Sequence, residues 1–211
     1  MLTLSLADRE RVRKYRRYRD TAMALASRIA DAEGRSDALR EAGAALGLLA
    51  GKEKAFIFED ESEMAALMDY SLFEFPSREN NAIRAFLKGD PEIDEIERQL
   101  LAAMLEAATG LFMVEEARPR SAEVTLRRIV GPPESIAITD TSLSQFAIEG
   151  AMVFVRPIVL PEFVMTSGVM FPFPPSMAPR LIKKWVKSPA AKRFPRFFRL
   201  HRSEGIPVIY A

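Results

Sequence analysis

The sequence of 211 residues contains no cysteine and only one histidine, His201. Without cysteine there can be no disulfide, zinc–thiolate site or thiol nucleophile. Serine-triad and histidine–metal chemistry need an imidazole, and the only one lies in a basic segment close to the C-terminus. Neither of the two common glycine-rich phosphate-binding loops is present. These absences favour a non-catalytic protein without a cofactor.

Long hydrophobic runs are also missing. The longest uncharged run, residues 163–179, contains four prolines, which a lipid-facing helix tolerates poorly. The N-terminus has no basic stretch ahead of a long apolar one, so it does not resemble a secretory signal. We therefore expect a soluble, cytoplasmic protein without a membrane span.

The net charge is only +1, but its distribution along the chain is uneven. Residues 1–52 carry 11 basic and 7 acidic groups, residues 53–110 carry 5 and 14, and residues 111–211 carry 14 and 8. The basic ends and the acidic middle can therefore attract each other, within one chain or between two copies. Net charge alone makes no case for nucleic acid, so such a case depends on local patches.

The N-terminal region has helical periodicity. Apolar residues recur at steps of three and four from Val12 to Ala32, which predicts a long helix with Tyr15 and Tyr18 on its buried stripe. Its arginines then form either a solvated outer face or a phosphate-contacting surface, and the regular apolar spacing favours packing.

The sequence up to Gly110 continues to predict mainly helices. A second helix is expected to bury Leu49 and to end at Gly51, and residues 54–58 (KAFIF) favour a short strand. A further helix is predicted to have Asp90 as its N-cap and to end at Gly110.

After Gly110 the periodicity becomes that of strands. Five short apolar segments alternate with turns rich in glycine and proline, which predicts a small, strongly bent antiparallel sheet or barrel. Gly168 interrupts one segment and indicates a bulge. The predicted fold class is α+β: a helical region (1–110), a small β region (111–175) and a basic C-terminal helix and tail (176–211), which also fit one compact domain.

Residues 183–202 are the most basic stretch, with eight Lys/Arg, four aromatic residues and no acid. Pro189 divides it into an amphipathic helix, with Trp185 packed inward, and a tail of phenylalanines and arginines. If Phe194, Phe197 and Phe198 are exposed, their rings can stack on bases while arginines contact phosphates. If they are buried, the arginines cover the edge of a core. Both interpretations stay open at this point.

The leading hypothesis is a non-catalytic binding protein that engages a polyanionic or acidic partner, with nucleic acid or an acidic protein as candidates. The residues assigned to this contact are basic and come from both ends of the chain: Arg13, Arg16, Arg17, Lys183, Lys187, Arg193, Arg196 and Arg199. The alternative is a structural protein, including a homo-oligomer, whose basic ends pair with its acidic middle.

A carboxylate-dependent metal enzyme is the third hypothesis. Glu59, Glu63 and Asp69 supply oxygens of the kind that Mg²⁺ prefers. The same acids are also typical of a helix N-terminus, where Asp60 or Ser62 can act as the cap. We favour this second interpretation and assign no metal ligand.

Several phrases of the sequence resemble a family of uncharacterised bacterial proteins, some of them associated with SEC-C-type zinc motifs. The phrases are AALGLLAGKEKAFIFEDESEMAALMDYSLFE, LFMVEEARP and AITDTSLSQFAIEGAMVFVRPIVLPEFVMTSGVMFPFPP, and the similarity covers roughly residues 40–180. The resemblance implies an order of segments but no activity. Because the cysteines of a SEC-C motif are missing, its metal and partner cannot be transferred to this chain.

Overall fold

A computed structural model of the protein describes residues 5–33, 36–51 and 55–207. The α-helices in these ranges are α1 (Leu6–Glu33), α2 (Ser36–Leu46), α3 (Glu61–Phe73), α4 (Ala82–Lys88), α5 (Glu95–Glu106), α6 (Thr141–Phe146), α7 (Ala178–Val186) and α8 (Ala190–Glu204). The strands are β1 (Leu49–Ala50), β2 (Ala55–Phe56), β3 (Gly110–Arg118), β4 (Glu123–Arg128), β5 (Ser135–Thr139), β6 (Met152–Val159) and β7 (Val164–Phe173). The predicted α+β class, with a helical N-terminal region, a small barrel and C-terminal helices, is confirmed.

The five longer strands form a closed barrel in the order β3-β4-β5-β7-β6. All neighbouring pairs are antiparallel except β5 and β7, which are parallel and share the register pair Ile138–Val164. A ring with an odd number of strands cannot alternate direction at every step, so closure requires at least one parallel pair. The sequence-based expectation of an antiparallel sheet therefore fails at this single seam.

The bulge expected at Gly168 is present. Between the pairs Val155–Met170 and Pro157–Thr166, Arg156 of β6 lies opposite residues 167–169 of β7. Gly168 has a positive φ of 101°, a backbone conformation that a side chain would strain. Local curvature of the sheet thus follows from the one glycine inside the strand pattern.

One local prediction is wrong and another is confirmed only in part. Helix α2 ends at Leu46, and Gly47 has a φ of 82°, so Leu49 lies in β1, where it pairs with Phe56. Of the predicted strand 54–58, only Ala55 and Phe56 are in β2, and Lys54 lies outside the described residues.

The N-cap of α5 also differs from the prediction. Asp94, not Asp90, caps the helix, because Asp94 and Glu97 form a capping box in which each side chain accepts from the other's backbone N–H. Asp90 precedes Pro91, which disfavours helical backbone at that position, and it has a φ of 50°.

Three hydrophobic clusters hold the elements together. One fills the barrel and includes Phe112 and Leu126, with Leu143 of α6 packed against it. A second joins α1 to α4, α5 and the β6–β7 end of the barrel, and it includes Tyr15, Tyr18, Leu25 and Ile29, as the α1 periodicity predicts. The third lies between α2, α3, α7, α8 and the outer faces of β6 and β7. Within the described ranges, no helix has the length and apolar character needed to cross a membrane.

Candidate functional site

The aromatic residues of the C-terminal segment are buried. Helix α8 includes the predicted tail, and Phe194, Phe197 and Phe198 are 2%, 0% and 3% exposed. Their rings pack on those of Phe154 and Phe171 on the outside of the barrel. Because the rings belong to the core, they are not available to stack on bases. The interpretation in which they dock into the core is confirmed.

Trp185 is also inward, as predicted, with 8% of its surface exposed. The guanidinium carbon of Arg193 lies 4.3 Å from the centre of one of its rings, which is a cation–π contact. Arg193 therefore covers the edge of the core, and its charge is directed at the tryptophan.

A cationic groove lies on the surface of α7 and α8 and has a volume of about 470 Å³. Five basic side chains line it together with one acid, Glu204, and three further residues; the five are Arg180, Lys184, Lys187, Arg196 and Arg199. We call this groove, defined by these five basic residues, the cationic groove. Arg180 and Lys184 of α7 and Lys187 at its C-cap follow one another at steps of four and three, which places them along one side of the helix.

The charges of the cationic groove influence one another. Burial lowers the pKa of Lys184, and the positive charges of Arg180, Arg196 and Arg199 lower it further. Glu204, which forms an ion pair with Arg180, offsets part of this repulsion, and an anion in the groove would offset the rest.

Internal contacts hold some of these residues in place. Arg196 donates hydrogen bonds to the carbonyl of Lys187 at 3.2 Å and to Oγ of Ser188 at 3.0 Å. Arg199 donates to the carbonyl of Ala45 at 2.6 Å, which connects α8 to α2. Each guanidinium has further N–H groups, so these contacts leave hydrogen-bonding capacity for a ligand.

The eight basic residues expected to bind an anion do not form one surface. Lys187, Arg196 and Arg199 line the cationic groove, whereas Lys183 and Arg193 do not. Arg180 and Lys184 were not assigned, although their helical spacing from Lys187 was a signal for them in the sequence. Arg196 and Arg199 of α8 are among the eight assigned residues, but their position beside Arg180 and Lys184 could not be inferred, because it depends on how α7 packs against α8.

The basic residues of α1 line another groove. Arg13 and Arg17 lie there with Lys14, which forms an ion pair with Glu162. Arg16 lines neither this groove nor the cationic groove. The two grooves share no lining residue, so the N-terminal and C-terminal basic segments do not converge in one channel.

The acidic residues that the sequence offers as metal ligands form ion pairs with two arginines, Arg202 and Arg156. Arg202 of α8 forms ion pairs with Glu63 at 2.6 Å and with Glu59 at 2.8 Å. Asp60 caps α3, accepting from the backbone N–H groups of Ser62 and Glu63. Across the described ranges, no group of three or more Asp, Glu or His side chains is arranged to hold a metal ion.

Asp69 belongs to a buried charge cluster. Oδ1 of Asp69 accepts from Nη2 of Arg156 at 3.0 Å, and Oε1 of Glu74 accepts from the same nitrogen at 2.8 Å. The Arg156 side chain is 1% exposed and its guanidinium carbon lies 4.3 Å from the ring centre of Phe73. Burial raises the pKa of Glu74, and Arg156 opposes that rise. This pairing gives the lone charge of the apolar strand β6 the partners that a buried arginine requires.

The single histidine has a structural environment. The ring of His201 packs on Phe171 with a centroid separation of 5.3 Å, and Nε2 lies 2.9 Å from the carbonyl oxygen of Ile206. Burial lowers the pKa of the imidazole, which favours its neutral form.

Comparison with known proteins identifies one family. No curated protein and no solved structure matches the chain. The expected resemblance to an uncharacterised family is confirmed at that level, whereas the bacterial origin and the SEC-C association stay predictions. A family model matches residues 9–211, and the chain therefore belongs to DUF7986, a family of unknown function.

Proposed function

We propose that this chain is a non-catalytic binding protein whose cationic groove engages a polyanion, with nucleic acid as the first candidate. The observation that carries the proposal is the convergence of Arg180, Lys184, Lys187, Arg196 and Arg199 on one groove that contains a single acid. Phosphates that enter the groove would replace repulsion between these cations with attraction and would release counterions. We place this activity in the cytoplasm, in keeping with the lack of cysteine.

The proposal differs from single-strand binding by base stacking. Phe194, Phe197 and Phe198 are buried, so contacts to the sugar–phosphate backbone are the ones available. We therefore expect little preference for base sequence and an affinity that depends strongly on salt. About three to five phosphate contacts would give a slope of roughly −2.7 to −4.5 in log K against log salt for duplex DNA.

Fluorescence anisotropy with labelled duplex DNA and single-stranded RNA tests the proposal. Lys184→Glu combined with Lys187→Glu reverses two charges inside the cationic groove. We expect the affinity to fall to about one tenth of the parent's or lower. Lys183→Glu combined with Lys192→Glu is the matched control, because both lysines are exposed on the same two helices but do not line the groove. A salt-independent affinity, or equal losses in the two variants, would exclude the cationic groove as the binding surface.

The residues Arg13, Arg16 and Arg17 of α1 form the second part of the proposed contact. Because they lie away from the cationic groove, only a partner that also reaches α1 can engage them. The variant Arg13→Glu with Arg17→Glu therefore separates a long partner, whose binding weakens, from a short one, whose binding does not change.

A structural function is the second candidate, and three sets of ion pairs favour it. Arg202 binds Glu59 and Glu63, Arg28 binds Glu97, and Arg156 binds Asp69 and Glu74. In each set a basic residue from outside segment 53–110 neutralises acids within that segment. Light scattering at low and high salt tests its intermolecular form: oligomers that dissociate in salt, without nucleic-acid binding, would favour the structural function.

A further inference from the structure

A largely apolar cavity separates the N-terminal helices from the barrel. Its volume is about 560 Å³, within the range of roughly 300–1,000 Å³ typical of small-molecule sites. Its walls come from α1, α2, α3 and the bulge of β7, and the apolar residues include Met23, Ala26, Leu39, Met68, Leu72 and Phe75. The cavity shares no lining residue with the cationic groove.

Two polar groups of the cavity wall are incompletely satisfied. Oδ1 of Asp69 accepts from Arg156, but Oδ2 is buried and has no hydrogen-bond partner among the described residues. Oγ of Ser167, in the β7 bulge, is also buried and has no hydrogen-bond partner among the described residues. The side chain of Asp69 is 4% exposed, so bulk water does not reach this carboxylate oxygen. A buried acceptor without a partner is costly, and in a native protein it calls for an explanation such as a bound group.

The charged side chains of the cavity wall are two acids, Asp31 and Asp69, and one base, Arg19. Behind the wall, Glu74 is paired with Arg156 and is also near the positive charge of Arg78. Nη1 of Arg156 is buried without a hydrogen-bond partner among the described residues, but Arg156 does not line the cavity. Arg19 is turned towards the β7 backbone, where Nη1 lies 3.4 Å from the carbonyl oxygen of Thr166. A ligand group placed beside Asp69 is therefore favoured if it is positively charged and donates hydrogen bonds.

We propose that the cavity binds a small molecule with an apolar body and a primary amine, in which the ammonium group donates to Oδ2 of Asp69. The apolar body lies against the methionine and leucine side chains of α1, α2 and α3. Ser167 provides a second hydrogen-bond acceptor at the polar end. The charged donor satisfies the acceptor that the protein itself leaves unpaired, and the apolar walls set the preference for the rest of the molecule.

A matched set of probes tests the chemical class. 4-Phenylbutylamine, 4-phenylbutanol and 5-phenylpentanoate share one phenylbutyl body and differ in carrying a cation, a neutral donor or an anion near neutral pH. Calorimetric titration of the full chain should show that the amine binds most tightly and the carboxylate least tightly. We expect at least about a tenfold difference between these two, since hydrogen bonds to charged groups are the stronger class. Equal binding of the three probes, tighter binding of the carboxylate, or no binding of the amine would overturn the proposal.

Two alanines of α1 locate the site. Ala26 lines the cavity, whereas Ala24 is exposed and does not line it. Ala26→Trp should fill the cavity and weaken amine binding at least about tenfold, while Ala24→Trp should leave it unchanged. Equal affinities in these two variants would place the amine elsewhere. Nucleic-acid binding should persist in Ala26→Trp, so failure of this proposal can be distinguished from failure of the proposed function.

Asp69→Asn tests the anchor. The substitution keeps the shape of the side chain but removes its charge, and Arg156 retains Glu74 as an ionic partner. We expect the preference for the amine over the alcohol to disappear in a variant whose circular dichroism matches the parent. Retention of the full preference would overturn the role of Asp69. If this variant does not fold, the probe series and the Ala26→Trp comparison still decide the proposal.

Discussion

The ring of Phe197 lies nearly parallel to that of Phe154, with a centroid separation of 4.6 Å and an angle of 14° between the planes. One residue belongs to α8 and the other to β6, so this stacked pair fastens the C-terminal helix to the outside of the barrel. Phe197 is fully buried. Apolar contacts therefore hold this helix on the barrel, in addition to the polar contacts of Arg199 with Ala45 and of Arg202 with Glu59 and Glu63.

Phe197→Ala should lower the free energy of unfolding by about 3–5 kcal/mol, because a large buried ring is lost and a cavity remains. Val186→Ala on neighbouring α7 is the control, since Val186 is 69% exposed and should change stability by no more than about 0.5 kcal/mol. Urea unfolding followed by circular dichroism measures both. A loss below about 1 kcal/mol for Phe197→Ala would contradict the burial of this ring.

Gly168→Ala should destabilise the protein by about 1–3 kcal/mol, because its φ of 101° strains any side chain. A Cβ at this position would overlap Nη2 of Arg19, so the guanidinium would also have to move. Gly51→Ala isolates the backbone effect, since Gly51 has a φ of 76° and open space around it.

A double-mutant cycle of Gly168→Ala with Arg19→Ala measures the steric part of this effect. The tip of an arginine can swing away, so we expect a modest interaction free energy of about 0.5–1 kcal/mol. A value of zero would show that Arg19 does not occupy the space beside Gly168.

Glu74→Gln should change how stability depends on pH. Burial raises the pKa of Glu74 above its ordinary value of 4.5, so the folded chain holds this proton to a higher pH than the unfolded chain. The contribution of Glu74 to stability is therefore present below about pH 4.5 and is lost as pH rises through the folded pKa. Glutamine keeps an acceptor for Arg156 and has no proton to lose.

Urea unfolding of the parent and of Glu74→Gln between about pH 4 and pH 8 measures this effect. The parent should lose stability relative to the variant as the pH rises. Burial also raises the pKa of Glu63, but this group is common to both proteins and cancels in the difference. A difference that does not vary with pH, or that varies in the opposite direction, would contradict the raised pKa of Glu74.

Asp94→Ala should lower the free energy of unfolding by about 1 kcal/mol, because it removes the capping box of α5. Glu92→Ala is the control, since this exposed acid lies ahead of the helix and should change stability by less than about 0.5 kcal/mol. Equal losses in the two variants would mean that general negative charge, rather than the cap, stabilises the N-terminus of α5.

Local patterns in the sequence carry most of the fold. The strands of the barrel are short apolar segments between turns, the stripe of α1 has helical spacing, and Gly168 interrupts a strand, so each could be inferred from neighbouring residues. The parallel contact of β5 with β7 could not, because it follows from closure of the ring. Even the cap of α5 depends on a choice between two aspartates that only the reciprocal contact with Glu97 decides.

The candidate sites depend on contacts that are distant in sequence. Arg156 stands alone among apolar residues of β6, which signals that it needs an acidic partner, but Asp69 is 87 positions away. The burial of the α8 phenylalanines likewise depends on the surface of β6 and β7. The charge composition indicates that the C-terminal segment is a candidate anion-binding region. Which of its basic residues lie in the same groove depends on how α7 packs against α8.

The position of α8 in the chain has a consequence for biosynthesis. It is made after the last barrel strand, yet it covers Phe154 and Phe171 on a barrel that can already have closed. A nascent chain therefore displays an aromatic surface of the kind that chaperones recognise until residues 190–204 emerge from the ribosome. A chain released after Val186 should bind a hydrophobic dye that the full chain does not bind. We therefore expect docking of α8, rather than closure of the barrel, to end the exposure of this aromatic surface during synthesis.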